Sequence, residues 1–389
     1  MLKKNIVILL AMKPEEGGKF QYSICLLDAL CSLDKNKYNI ISLYNDNNWE
    51  NYLSDSIKKY HLSKNLLSLL IKKFVFIFFG GFKTWRYISK YFDPAQKMIN
   101  KIRPHLVFFP GGYGYSFELN VPAIVSVFDL MHRYESSFPE VSKKGIYRKR
   151  EYFYKNISKY SLAILVDSII GKEQFIESYK TQAGKIFVLP YVAPKYIYEL
   201  KAKDCREKYK LPNEYIFYPA QFWKHKNHIN LLKALNLLKE KGIRINAVFV
   251  GSRKNYYYEI KELIDELKLN DQIWILDYVS NEELIFLYKN AIALVMPTFF
   301  GPTNIPQLEA FALGCPVITS NIYGIPEQVG DAALLVDPYD EKDIAEKIKH
   351  IINNPELRKC LIKKGYENNN KWNISQYSKL LENIVSALI

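Results

Sequence analysis

Short apolar runs alternate with longer stretches of helical apolar spacing along the whole chain. In the first half the runs Ile6–Ala11, Ile40–Leu43, Leu106–Phe109, Ile124–Phe128, Ala163–Val166 and Ile186–Leu189 read as buried strands. A helix is expected from about Lys19 to Ser32, and other helical spacers separate the later runs. Pro190–Pro194 makes a stiff connector. The second half repeats the programme with strands at Tyr215–Tyr218, Asn246–Val250, Ile273–Leu276, Ile292–Met296, Val317–Thr319 and Leu334–Val336. Helices are expected between them at about Asn227–Glu240, Tyr257–Leu267, Glu282–Lys289, Ile305–Leu313 and Glu341–Ile352. Alternation of this kind specifies an α/β fold with two doubly wound, mostly parallel sheets. The expected domains are 1–194 and 195–371, followed by a helical tail at 372–389.

Composition narrows this picture only modestly. A chain of 389 residues exceeds what one core usually fills. Lys and Arg total 54 against 40 Asp and Glu, a surplus of 14 that suits nucleic acid, an anionic membrane or anionic substrates, or that follows from compositional drift alone. No nucleic-acid module accompanies the charge, so nucleic acid is not an expected partner. Five scattered cysteines without a C-x-x-C suggest neither a disulfide framework nor a zinc site and fit a reducing compartment. The apolar amino terminus is short and lacks a small-residue cleavage site, so it reads as the first strand. Leu66–Phe82, broken by Lys72 and Lys73, reads either as a core helix or as an interfacial patch on a bilayer. No run reaches the roughly 20 apolar residues of a membrane span.

The chemistry concentrates in Met296–Thr319, MPTFFGPTNIPQLEAFALGCPVIT. A buried strand stops at Pro297, and the loop Phe299–Asn304 carries Gly301 and Pro302. Asn304 tolerates a left-handed backbone. The helix beginning at Ile305 and Pro306 offers its first amides, with those of Thr303 and Asn304 beside them, to an anion. Glu309, a turn further on, is a pure acceptor suited to a vicinal diol such as a ribose, or is a helix-start glutamate favoured by the macrodipole. Phosphate on the amides and sugar on the carboxylate describe a bound nucleotide.

This run, Gly-Pro-Thr-Asn-Ile-Pro-Gln-Leu-Glu-Ala followed by Leu-Gly-Cys-Pro-Val-Ile, resembles the nucleotide-sugar site of the glycosyltransferase group 1 family, also called family 4. The resemblance implies a GT-B fold, two Rossmann-like domains facing a central cleft, with a carboxyl-terminal helix returning to the first domain. It further implies a retaining, metal-independent, cofactor-free transfer from a nucleoside-diphosphate sugar to a saccharide or lipid-linked saccharide acceptor. Cell-surface polysaccharide or lipopolysaccharide assembly at the cytoplasmic face is the expected setting. Family members usually carry two glutamates eight positions apart around a Gly-x-Pro-x-x-Glu core; here Glu309 supplies the second, and Gly301 stands at the first.

Four loops supply the remaining candidates. In Pro219–His228, Lys226 matches the family lysine that neutralises the diphosphate, while Gln221 replaces its arginine. His225 and His228 lack a third ligand for a metal. Gly17 and Gly18, after the first strand, read as a phosphate or sugar approach, or as a plain turn. Asp129 and His132 are candidates to orient or deprotonate the acceptor hydroxyl, the alternative for Asp129 being a helix cap. Ser252 and Arg253 lie at a further strand end, Arg253 as a substitute for the positive charge missing at Gln221. The chain contains no Asp-x-Asp, the motif with which transferases of the other architecture hold a divalent ion. Lys143–Lys155, with Arg148 and Arg150, reads as a patch for a lipid diphosphate or the inner leaflet, or as a solvated helix face. Two rival functions remain: a GT-B epimerase or phosphorylase, and a catalytically silent sugar-nucleotide binder.

Overall fold

A computed structural model describes residues 3–55, 57–63, 65–111, 113–301 and 304–389. The chain packs as two units: Met1–Asp129 with Arg148–Pro190 and Ile374–Ile389, and Leu130–Tyr147 with Tyr191–Asn373.

The first unit holds a seven-stranded sheet of β1 (Lys4–Leu10), β2 (Tyr38–Tyr44), β3 (Lys58–His61), β4 (Leu106–Phe109), β5 (Ala123–Ser126), β6 (Ala163–Val166) and β7 (Ile186–Val188). Its order is β3-β2-β1-β4-β5-β6-β7 and every pairing is parallel, Ile6 lying opposite both Ile40 and Leu106. The central strands are apolar because both faces are covered: Ile6–Leu10 and Leu106–Phe109 are essentially inaccessible. The edge strand β3, Lys-Lys-Tyr-His, is exposed along its length and escapes an apolar-run search for that reason. Its charged side chains protect the open edge from pairing with another chain. The helix Ile374–Leu388 packs on the helix Gly18–Cys31, burying Tyr377, Leu381, Ile384 and Val385. Each such side chain contributes roughly 1.5–3 kcal/mol on leaving water.

The second unit holds a six-stranded parallel sheet of β8 (Ile216–Pro219), β9 (Ala247–Val250), β10 (Ile273–Leu276), β11 (Ala293–Met296), β12 (Val317–Ser320) and β13 (Ala333–Val336), in the order β10-β9-β8-β11-β12-β13. The order reverses between β8 and β11, and ligands of such sheets lie beyond the carboxyl ends of the strands at that point. The loops after β8 and β11 carry Lys226 and Asn304.

Two expectations need correction here. The sequence reading carries the first domain unbroken to residue 194, whereas Leu130–Tyr147 packs within the second unit through Met131, Phe138 and Val141 against Phe300. Leu66–Phe82 is not a core helix: its helical part, Leu66–Phe78, buries only Ser68 and Val75.

Candidate functional site

Lys226 is held by its backbone before its side chain is considered. The buried hydroxyl of Tyr218, in β8, donates to the Lys226 carbonyl at 2.7 Å. Next in the chain, Asn227 adopts a left-handed conformation at φ 58°, ψ 36° and caps the helix His228–Glu240. Its amide nitrogen donates to the carbonyls of Pro297 (2.8 Å) and Pro338 (2.7 Å). From the loop after β11, the Thr298 hydroxyl and the Phe299 amide both donate to the His225 carbonyl, at 3.0 and 2.8 Å. These bonds sew the β8 and β11 loops together and bring Lys226 Nζ to 3.3 Å from Asn304 Oδ1.

Asn304 begins the helix Ile305–Leu313 in an extended conformation, φ −142° and ψ 140°. The left-handed backbone expected of it falls instead to Gly301, at φ 134°. Gln328 clamps Asn304 from both sides, accepting from its amide at 2.9 Å and donating to its carbonyl at 2.8 Å. Among the described residues the buried side-chain nitrogen of Asn304, a residue only 8% exposed, has no hydrogen-bond partner. A buried donor costs about 1–3 kcal/mol when unsatisfied. Beside it, the first-turn amides have no carbonyl within their own helix. Ammonium, amide and helix start therefore form one cluster of donors, which is an anion site by its chemistry. Thr303, and Pro302 beside it, lie outside the described residues.

Glu309 is less open than expected. It is buried, and its two oxygens accept from Tyr196 (2.7 Å) and Tyr288 (2.6 Å). Burial raises its pKa, against which the two hydroxyls act. An ionised carboxylate has about four lone-pair sites, so two remain beyond those the tyrosines occupy. Neither tyrosine was legible as a site residue, because each comes from a separate helix, Tyr196–Glu199 and Asn281–Asn290.

The other candidates divide. Gln221 lies in the β8 loop with its side-chain oxygen accepting from Trp223 Nε1 at 2.8 Å. Gly251 is required there: a Cβ would collide with the Ala220 carbonyl and stand 2.9 Å from Gln221 Cα. The Ser252 carbonyl accepts from the Phe222 amide at 3.2 Å, lacing the β8 and β9 loops. Arg253, exposed at its strand end, donates to Asp277 in two 3.0 Å bonds, so its charge is shared with a neighbouring carboxylate. His225 stacks on Phe300 at 4.1 Å and packs its Nδ1 2.5 Å from Glu140. His228 stacks on Tyr218, and burial pushes its pKa down to about 3, so it is neutral near pH 7. Both histidines are thus accounted for by packing.

In the first unit, Gly17 closes a short 3-10 turn at φ 59° and precedes the exposed Gly18, the first residue of the helix Gly18–Cys31. Asp129 follows β5 and ion-pairs with Arg150, which also donates to Tyr154 at 3.2 Å. Burial lowers the Arg150 pKa, but Asp129 and Tyr154 outweigh it and hold the guanidinium charged. The N-cap position of the next helix, Met131–Tyr134, is held by Leu130, one residue beyond Asp129. His132 belongs to the second unit, fully buried, its ring 5.4 Å from that of Tyr147.

Residues 202–368 match the family of glycosyl transferases group 1. Over 188 residues the chain is 30% identical to the O-antigen chain mannosyltransferase RfbU of Salmonella typhimurium, covering 48% of this chain and 50% of that one. It is 27% identical over 254 residues to the O-antigen chain mannosyltransferase B of Escherichia coli, covering 61% and 67%. The chain thus spans about half to two thirds of the length of these curated relatives. Among solved structures it is similar to Anabaena Alr3699/HepE in complex with UDP and glucose, with a TM-score of 0.74 at 14% identity over 99% of this chain and all of that one. That likeness carries the fold, which is GT-B.

Proposed function

We propose, from the premise that residues 202–368 are a glycosyl transferases group 1 domain, that this chain moves a sugar from a nucleoside diphosphate to an acceptor hydroxyl. The observation that carries the reading is the donor cluster at the β8/β11 switch point: Lys226 Nζ, the Asn304 side-chain amide, unpartnered among the described residues, and the start of the helix Ile305–Leu313. In this reading the cluster binds the diphosphate, and Lys226 neutralises it as the glycosidic C–O bond breaks. Ile305 and Pro306 contribute the helix start, Gln221 an uncharged donor in the arginine's place, and Ser252 the loop edge. Glu309, held by its two tyrosines, takes the ribose on its remaining lone pairs. In the first unit, Gly17 and Gly18 serve phosphate or sugar. Asp129 orients the acceptor hydroxyl, since the buried His132 is the less accessible of the two candidates.

The transfer retains anomeric configuration. The acceptor oxygen attacks on the face the phosphate leaves, its proton passes to a leaving phosphate oxygen, and the new C–O bond replaces the broken one. The acceptor is a saccharide or lipid-linked saccharide of cell-surface polysaccharide or lipopolysaccharide assembly, met at the cytoplasmic face of a membrane. Support comes from the two relatives, whose names describe O-antigen mannosyltransferases.

A catalytically silent binder is the second reading, favoured by Gly301 and Gln221 standing where the family carries a glutamate and an arginine. Thermal-shift titration with nucleoside diphosphates and their sugars, beside assay of nucleoside-diphosphate release, tests both. A ligand bound only by the native state raises stability with the logarithm of its concentration. Stabilisation with turnover supports the transferase, stabilisation without turnover the silent binder, and the absence of both overturns the site.

A further inference from the structure

In the first unit the helix Leu66–Phe78 is built inside out. Its N-cap Asn65 and buried Ser68 fix the start, and Lys72 reaches inward to an ion pair with Glu118 at 2.5 Å. The apolar side chains point the other way. Leu66, Leu70, Phe74 and Ile77, at helical spacings of four, four and three, form one stripe that is 72%, 55%, 54% and 72% exposed. Leu67, Phe78 and Phe79 widen it, with Phe74 packed 5.0 and 5.4 Å from the rings of Phe78 and Phe79. A helix that turns a serine and a lysine inward while exposing leucines and phenylalanines is matched to a non-aqueous surrounding.

The charge around this stripe identifies that surrounding. Between Asp55 and Asp93 the chain has no acidic residue, and while Lys59 pairs with Asp55 and Lys72 with Glu118, Lys73 on this helix and Lys83 and Lys90 on the helix packed against it are exposed. The adjoining helix Phe82–Phe92 adds exposed Tyr87 and Tyr91, with Lys90 Nζ 5.2 and 4.9 Å from their ring centres. Leucine and phenylalanine beside tyrosine and lysine are the residue types that sit across the boundary between acyl chains and anionic headgroups. A second copy is a poor occupant, because a two-fold contact sets the exposed Lys73, Lys83 and Lys90 against their own copies. At 13 residues the helix is about 20 Å long, shorter than the roughly 30 Å hydrocarbon core, so it lies in the interface plane. Among the described residues no helix is long and apolar enough to cross a membrane.

We infer that the Leu66–Phe78 stripe, with Lys73, Lys83 and Lys90, docks this protein on an anionic bilayer. The inference deepens the proposed placement at a membrane face and is independent of the donor chemistry. Its test is co-sedimentation of the full chain with vesicles of phosphatidylcholine containing about 30% phosphatidylglycerol, compared with phosphatidylcholine alone. Binding is expected to be roughly tenfold or more tighter to the anionic vesicles and to weaken as salt is raised. Leu70→Glu/Ile77→Glu and, separately, Lys73→Glu/Lys83→Glu are expected to reduce it, with melting temperature and any nucleotide-dependent thermal shift unchanged. Equal binding by wild type and both variants, or none, overturns the inference. So does a wild-type dimer in sedimentation velocity that Leu70→Glu/Ile77→Glu dissociates without any effect on vesicles. Loss of the nucleotide shift in wild type, with vesicle binding intact, sinks the donor assignment and leaves the docking surface standing.

Discussion

Glu140 holds His225 by one oxygen in two ways: Oε1 accepts from the His225 backbone amide at 2.8 Å and lies 2.5 Å from its Nδ1. Its other oxygen accepts from Asn255 at 3.2 Å. A carboxylate from Leu130–Tyr147 thereby buttresses the two loops that flank Lys226, and the Glu135–Tyr323 hydrogen bond ties the same segment to a third. Burial alone raises the Glu140 pKa, but the His225 ring and amide pull it down to about 2. A group depressed on folding stabilises the native state above its unfolded pKa, ordinarily 4.5. That contribution is lost as pH falls through the folded value. We expect Glu140→Gln to be less stable than wild type at pH 7 by up to about 3 kcal/mol. The gap should narrow as pH falls from about 4.5 toward 2. Denaturant unfolding of both proteins across that range measures it, and a constant gap contradicts the assignment.

Lys226→Ala is expected to lower turnover by roughly a hundredfold or more, the usual effect of removing one group that stabilises developing charge. The fold should tolerate it, because the Lys226 backbone is held by Tyr218 and Asn227 rather than by its side chain. Melting temperature and nucleoside-diphosphate release, measured together, separate the two effects. Lys226→Arg should recover part of the rate, since the charge returns.

Glu309 links stability to binding. Tyr288→Phe removes one of its two donors and leaves a buried carboxylate oxygen short of a partner, so a loss of about 1–3 kcal/mol is expected. Glu309→Gln sets an NH2 against one tyrosine hydroxyl and is expected to weaken nucleoside affinity at least tenfold, since a ribose diol then meets half the acceptors. Calorimetric titration with the free nucleoside diphosphate checks the second effect. An unchanged affinity would restrict Glu309 to a structural role.

The parts legible in the sequence are those whose cause is local. Buried parallel strands leave continuous apolar runs, and Pro306 in the first turn marks a helix start, so β8, β11 and the helix Ile305–Leu313 appear nearly residue for residue. Lys226 and Asn304 were legible as candidates, but not their meeting, which depends on Thr298 and Asn227 bonding across 70 residues or more. The pairing of Arg253 with Asp277, 24 residues away, was not legible either. Glu140, Tyr196 and Gln328 left no signal: each lies on a helix of four or five residues, too short for periodicity, and acts through tertiary contacts to residues far along the chain. Leu66–Phe78 shows the limit of pattern reading, since an apolar stripe has the same spacing whether it faces a core or the outside.

Gly301 offers the sharpest test of whether the missing glutamate is a loss or an adaptation. Its φ of 134° disfavours any side chain, and a Cβ there would stand 2.9 and 3.0 Å from Asn304 Nδ2 and Oδ1. Counting back from Glu309 and Pro306, Asn304 occupies the glycine position of the family core, so the two departures are spatially coupled. Gly301→Glu alone must strain the loop and displace the Asn304 side chain from Lys226. We expect it to lower both melting temperature and turnover rather than restore a family-like site. Gly301→Glu/Asn304→Gly removes the colliding amide and should regain part of both, a non-additivity of about 0.5–3 kcal/mol for residues in contact. Melting curves and donor turnover for the two single variants and the double measure that coupling. A Gly301→Glu protein that turns over faster at unchanged melting temperature would mean that the backbone there relaxes freely and that Asn304 was never the reason for glycine.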